Sequence, residues 1–322
     1  MTTHSVERVI VVPRNGYVNR LQAWASAAIM AGDLGVPCQV AWQPQPAGPA
    51  EAEVLFAGET LDHSFVRMDN VTAALGTSHE DLPRYLTVLP DRHVVALAGH
   101  DRGEQVFMPQ LHAALQHASG PTTLVIIAGG AFCLPGTRAF ADRRRDFYRS
   151  IAWSPPIDEQ VSAALLGRGR YLGAHIRQTD RSRQAPTPRA IRAGLARLRD
   201  RTGITSLFIA ADNEAALARW ADEAGRLGLR AWTAEHADID RATDTGAVAA
   251  MTDWRLLGGS EALVYTRESS FGAEATVAAG AVDGSEALAA GPVTRTGRAL
   301  LHGASSIHRR ATARRREASR PV

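Results

Sequence analysis

The chain has 322 residues, 45% hydrophobic and 21% charged, with a formal net charge of +3; that is ordinary for a globular protein and long enough for two domains of common size. It contains no lysine, all 36 basic residues being arginine, which excludes Schiff-base and pyridoxal-phosphate chemistry and the phosphate-binding lysine of a P-loop. Cys38 and Cys133, far apart in sequence, argue against a disulfide framework or a cysteine zinc site and read as small apolar fillers.

No apolar run approaches the ~20 residues of a membrane span. The N-terminus, MTTHSVERVIVV, has neither a basic n-region nor a small-residue cleavage site, so a cytoplasmic location is expected. RVIVV (Arg8 to Val12) reads as a buried strand. The turn PRNGYVN follows, then a helical pattern from Asn19 to Leu34 with Leu21, Trp24, Ala28 and Ala31 on one stripe, closed by Gly35 before the strand CQVAW. The Pro/Ala-rich segment from Gln43 to Glu53 reads as a loop. Signals weaken from Glu59 to Gln116, where YLTVL and HVVALA are candidate strands. TLVIIAG then reads as a strand and ADRRRDFYRSI as an exposed helix.

After SPP (Ser154 to Pro156) strands and helices alternate strictly. YLGAHIR, SLFIAAD, LRAWTAE and ALVYT are continuous apolar strands. The helices PRAIRAGLARLRDRTG, NEAALARWADEAGRLG, GAVAAMTDWRLLGG and SSFGAEATVAAGA follow them in turn. That is the pattern of a parallel sheet covered on both faces. The expected architecture is α/β with two Rossmann-like halves, residues 1–153 and 154–294, and a tail at 295–322. From Arg295 to Val322 there are eight arginines and one glutamate, a local +7 that leaves −4 on the rest of the chain. Without interleaved aromatics the tail reads as a solvated segment rather than a nucleic-acid arm.

In an open parallel sheet, ligands bind beyond the carboxyl ends of the strands. His175, Arg177 and Asp180 leave the strand YLGAHIR, Asp212 leaves FIAAD, and Glu268, Ser269 and Ser270 leave ALVYT where a helix begins. An arginine fork and a helix start both favour an anion, and together they make a diphosphate cradle without lysine or a glycine-rich loop. Alternatively, Arg177 forms a structural ion pair with Asp180 or Asp212.

HIRQTDR resembles the HxRR-(T/G)-D segment of the fucosyltransferase superfamily that includes α1,6-fucosyltransferases, nodulation fucosyltransferases and protein O-fucosyltransferases. FIAADN is similar to the family's strand with a T-D-D-like turn, and DWRLLGGSEALVYTRESSFG to its D-x-x-x-L-S-x-(A/C)-D-x-L-V-x-T-x-S-S segment. PRNGYVNRLQAWASAAIMAGDLG is similar to the opening G-x-G-N-(R/Q) loop and helix, and Pro44 to Ser154 matches none of the family's blocks. The resemblance implies a GT-B-like fold, two Rossmann-like domains facing each other across a cleft. It implies a glycosyltransferase that inverts, needs neither metal nor cofactor, and moves fucose or another hexose from a GDP-sugar to a hydroxyl of a small-molecule or glycan acceptor. Carried over by position, Arg177 and Ser269 contact the donor β-phosphate, Asp253 reads guanine, and His175 lines the nucleotide pocket. Asn15, Gly16, Asn19 and Arg20 fall on the N-terminal loop, on the acceptor side.

Two departures accompany the match. Gln178 stands where the family has a second arginine, and RSRQAPTP holds no carboxylate to serve as general base. Asp180 and Glu268 are the nearest candidates for that base. Asp253 also reads as a helix-surface charge, and His175 as a ring satisfying a backbone carbonyl. The rival readings are a metal-dependent transferase using Asp238-Ile239-Asp240 as a DxD site, and an inactive nucleotide- or glycan-binding protein.

Overall fold

The computed structural model describes residues 6–82, 87–99, 120–132, 138–177, 185–240 and 242–289. Cys133, Gln178, Asp180 and the arginine-rich tail lie outside them. The first half runs β1 (Val6–Pro13), α1 (Tyr17–Leu34), β2 (Cys38–Val40), α2 (Ala52–Leu55), α3 (Gly58–Ser64), α4 (Met68–Leu75), β3 (Thr87–Leu89), β4 (Val94–Gly99) and β5 (Thr122–Ala128). Two helices follow, α5 (Arg138–Ser150) and α6 (Pro155–Leu165). The second half runs β6 (Leu172–Ile176), α7 (Pro188–Thr202), β7 (Ser206–Ala211), α8 (Glu214–Arg226), β8 (Arg230–Trp232), α9 (Asp244–Gly258), β9 (Leu263–Thr266), α10 (Ser270–Ala279) and β10 (Glu286–Leu288).

Each half forms one five-stranded sheet. The first has the order β2-β1-β5-β4-β3 and is parallel except for β3, which runs against β4. The second has the order β10-β9-β6-β7-β8 and is parallel throughout. Every residue of β5 and of β6 is buried, as expected of central strands with helices on both faces. In the second sheet the chain builds outward from β6 through β7 to β8, then returns to β6's other side with β9. The switch point, where ligands bind in open α/β sheets, is therefore at the carboxyl end of β6.

Side chains alternate between the faces of each strand. Ile10 and Val12 of β1 pack outward with Ala96, Val125 and Ile127. Leu172, Ala174 and Ile176 of β6 pack with Ile191, Leu195 and Trp220. The remaining faces do not make separate cores: Val9, Val11 and Ile126 of the first sheet belong to one apolar cluster with Phe208 of the second sheet and with Trp254 and Leu257 of α9.

That shared cluster explains two differences from the sequence pattern. Helix α1 is buried almost all round, with Ala23, Ala25, Ala27 and Ile29 buried besides Leu21, Trp24 and Ala31. It is covered by β1 on one side and by α5 and α10 on others, so no polar face remains. The arginine-rich helix α5, expected to lie exposed, is instead wedged between α1 and α10. It buries Phe140 and Tyr148 and leaves its arginine heads to find partners at the edge of the junction.

Candidate functional site

The site is built from the strand ends at the switch point. His175, next to last in β6, is buried, and its ring stacks on Phe271 in the first turn of α10, centroids 4.8 Å apart with 26° between planes. Its Nδ1 lies 3.5 Å from Ser269 Oγ. Ser269 occupies the N-cap position of α10 and is buried, yet its hydroxyl makes no capping bond to the helix backbone. The N–H groups of the first turn of α10 are thus not used up by their own cap. Gly272 permits this approach: a Cβ there would sit 2.5 Å from Tyr265 Cβ and 3.2 Å from His175 Nδ1. Arg177, one residue beyond β6, is half-buried beside this helix start's strand.

Asp212 immediately follows β7, and Asn213 Nδ2 donates to its Oδ1 at 3.1 Å. The Asn213 side-chain oxygen in turn accepts from Ala216 N at 2.8 Å, capping α8, so the cap also fixes the direction of Asp212. Asp253, in the third turn of α9, points back under the strand ends, with a side chain 18% exposed. His236 Nε2, on the loop after β8, lies 2.8 Å from Asp253 Oδ1. His175, Asp212, His236, Asp253 and Phe271 line one pocket that is open to solvent. His175 and Arg177 also line a smaller neighbouring pocket with Ala185, Pro186 and Thr266. The structure therefore brings His175, Arg177, Asp212, Asp253, Ser269 and Ser270 to one edge, with Glu268 half-buried immediately before the helix start.

The N-terminal loop is held from beneath. Asn15 adopts a left-handed φ of 71°, which asparagine tolerates better than most residues. Its Nδ2 donates to Gly129 O and its N–H to Gln45 Oε1, both at 3.0 Å. Gly16 is the N-cap residue before α1, and Asn19 is half-buried in its first turn. Arg20 is not presented to the cleft. Its side chain is fully buried, donating to Asn15 O at 2.9 Å and Gly48 O at 2.5 Å, with the guanidinium 4.7 Å from the Trp42 ring centre. No carboxylate bonds to it among the described residues, and burial lowers its pKa to about 10. In this arrangement Arg20 braces the loop rather than reaching a ligand.

Asp238 and Asp240 are tied into the start of α9. Asp238 Oδ1 accepts from Asp240 N at 2.8 Å and its Oδ2 from Thr243 Oγ1 at 2.6 Å, which holds its carboxyl below the usual range. Asp240 Oδ1 accepts from Ala242 N, and Asp240 O lies so near Gly246 that a Cβ there would be 1.9 Å away. Both carboxylates thus serve a helix-capping turn. Among the described residues no group of three or more His, Cys, Asp or Glu side chains is placed to hold a metal ion.

Two features escaped the sequence. His236 sits in a loop without periodicity, so nothing in the pattern tied it to Asp253. Glu274 lies on α10 with an apolar run behind it, yet is buried where three elements meet. Gln22 Nε2 of α1 donates to its Oε2 at 2.6 Å, Arg144 Nη1 of α5 lies 3.3 Å from the same oxygen, and Tyr148 Oη donates to Oε1 at 2.7 Å. Burial and the carboxylate raise the Tyr148 pKa well above the usual tyrosine value. This junction ties the helix that begins at the strand-end site to the helix that begins at the Asn15–Gly16 loop.

No protein-family model matches the chain, and no curated protein sequence matches it. The fold is GT-B-like, two Rossmann-like α/β halves, as shown by solved structures similar to it. NodZ α-1,6-fucosyltransferase soaked with GDP-fucose has a TM-score of 0.53 and 16% identity, over 84% of this chain and 92% of that one. The Bradyrhizobium fucosyltransferase NodZ has a TM-score of 0.52 and 16% identity, over 84% and 93%. POFUT1 in complex with GDP has a TM-score of 0.49 and 13% identity, over 87% and 96%. No helix among the described residues is long and apolar enough to cross a membrane.

Proposed function

We propose that the protein is a glycosyltransferase that moves a sugar, fucose or another hexose, from a GDP-sugar to a hydroxyl of a small-molecule or glycan acceptor, with inversion and without metal. The observation that carries this reading is the meeting, at one switch point, of an arginine, an unspent helix start and a pocket floored by a carboxylate. Arg177 and the first turn of α10 bind the diphosphate, and Asp253 accepts the N1–H and N2–H of guanine at the far end of the pocket. The similarity to a fucosyltransferase soaked with GDP-fucose agrees with this donor class. The first half, residues 1–153, presents the acceptor through the Asn15–Gly16 loop, and the second, 154–294, holds the donor.

In the transfer, the acceptor oxygen attacks the anomeric carbon as the bond to the β-phosphate oxygen breaks. The acceptor proton passes to a carboxylate, Glu268 or Asp180, and GDP leaves. Charge develops on the departing diphosphate, where the Arg177 guanidinium and backbone N–H groups stabilise it most strongly in the transition state.

Calorimetric titration with GDP and UDP tests the donor assignment. Wild type binds GDP more tightly, and Asp253→Asn reduces that preference about ten- to a hundredfold, the loss of one charge-assisted hydrogen bond. Equal affinity for GDP and UDP in the wild type overturns the guanine assignment. Tight GDP binding without GDP release from any GDP-sugar, with hydroxyl acceptors supplied, would instead make the chain a binding protein.

A further inference from the structure

An aspartate does not fix its own plane. Its terminal torsion is broad and roughly two-fold, yet accepting two parallel N–H bonds from one base edge demands a single orientation of both carboxylate oxygens. Asp253 has a contact that sets this torsion, since His236 Nε2 lies 2.8 Å from its Oδ1. An ionised carboxylate only accepts, so Nε2 carries the hydrogen and donates. One such bond does not exhaust a carboxylate, which offers about four lone-pair sites.

His236 is itself held in place. Its side chain is only 8% exposed, and it shares the pocket wall with Ile239, Ala249 and Ala250. The loop that carries it is laced to the start of α9. Asp238 accepts from Asp240 N and from Thr243 Oγ1, and Thr243 Oγ1 in turn accepts from Gly246 N at 3.0 Å. Asp240 O packs where a side chain on Gly246 would stand. The Asp238-Ile239-Asp240 turn thus fastens His236 to the same helix that bears Asp253.

We infer that His236 is a positioning residue for base selection: by donating Nε2–H to Asp253 Oδ1 it holds that carboxylate in the plane that accepts N1–H and N2–H of guanine, an inference that rests on the guanine-nucleotide reading above. The Asp238–Asp240 turn then has a role of its own, as the bracket of the loop that carries His236. Because His236 acts through Asp253, its loss alters the choice of base rather than the affinity for every nucleotide. Guanine presents two adjacent N–H donors to the carboxylate. Uracil presents one N–H between two carbonyl oxygens, so a fixed carboxylate plane adds little to the binding of UDP.

The test is calorimetric titration of the full chain with GDP and UDP, for wild type, His236→Leu and His236→Gln, together with nitrogen NMR of the labelled wild-type histidines. Leucine suits the apolar wall but has no donor, whereas a glutamine amide nitrogen can replace Nε2 and keep the bond to Asp253. His236→Leu is expected to weaken GDP about three- to tenfold, the penalty of an unfixed torsion, with UDP changed by less than about twofold. His236→Gln is expected to bind GDP within about twofold of wild type. In the wild type, the neutral His236 ring is expected to carry its hydrogen on Nε2. Wild-type GDP affinity in His236→Leu overturns the inference, as does a loss that UDP shares or that His236→Gln suffers in full. A neutral ring protonated on Nδ1 overturns it too, a result that needs no variant to fold. Wild type with no preference for GDP over UDP removes the guanine reading itself, a separate outcome that takes the inference with it.

Discussion

Replacing Glu274 tests whether the junction between α1, α5 and α10 is held by its carboxylate. In Glu274→Ala, the Tyr148 hydroxyl and the Gln22 amide lose acceptors at 2.7 and 2.6 Å. Arg144, with a side chain 14% exposed, loses the carboxylate 3.3 Å away. Breaking a buried charge cluster by removing one partner costs about 3–5 kcal/mol. Glu274→Gln keeps the shape and one carbonyl acceptor but turns an NH2 group toward groups that already donate, for a loss of roughly 1–3 kcal/mol. At ~2 °C per kcal/mol for a chain of this length, Glu274→Ala should melt roughly 6–10 °C lower and Glu274→Gln by less. Thermal unfolding followed by circular dichroism reads both, and Tyr148→Phe closes a double-mutant cycle. A loss below about 1 kcal/mol in Glu274→Ala, or strict additivity with Tyr148→Phe, would refute the idea of a shared buried network.

Three other outcomes are expected. Arg177→Ala should abolish donor use with the melting temperature unchanged, and wild-type affinity and turnover in that variant would sink its role. GDP release from the donor should persist in excess EDTA, because Asp238 and Asp240 are engaged in the turn that starts α9; loss of turnover restored by manganese would reassign them to a metal. Burial raises the Tyr171 hydroxyl from 10.0 to about 12, so the folded state keeps a proton that the unfolded chain releases. Its stabilisation is complete below pH 10 and is lost as pH rises toward 12, by at most about 1.4 kcal/mol per pH unit. Urea unfolding at pH 8 to 12 should show that decline, shallower in Tyr171→Phe, and equal slopes would contradict it.

The second sheet was legible because its strands are short apolar runs ended by turn residues, and two of its helices start with a side-chain cap, Thr187 before Pro188 and Asn213 before Glu214. The strand-end residues followed from parallel topology alone. The three short helices between Ala52 and Leu75 did not emerge, since four to eight residues give too little period to detect. Helix α5 was found but misjudged: its arginines marked it as exposed, whereas its partners, Asp33 and Glu274, lie 110 and 130 residues away. His236 and Arg20 were obscure for the same reason. Whether a polar side chain faces a ligand or a neighbouring backbone depends on which loops fold over it, and the loops at Gln45–Gly48 and His236–Thr243 carry no periodic signal.

The apolar cluster that runs through both sheets bears on how the molecule moves. Tyr148, Trp153 and Trp254 meet with ring centres 5.3 and 6.0 Å apart, and Trp24 sits edge-on against Phe56, Phe65 and Phe147. Interlocked rings of this kind do not slide past one another without opening voids, and densely packed interiors resist that. Swinging the halves open and shut as lobes on a hinge would require such sliding. The two halves are therefore expected to keep their relative positions when a ligand binds at the strand ends. Ligand binding should accordingly leave the radius of gyration in solution scattering almost unchanged.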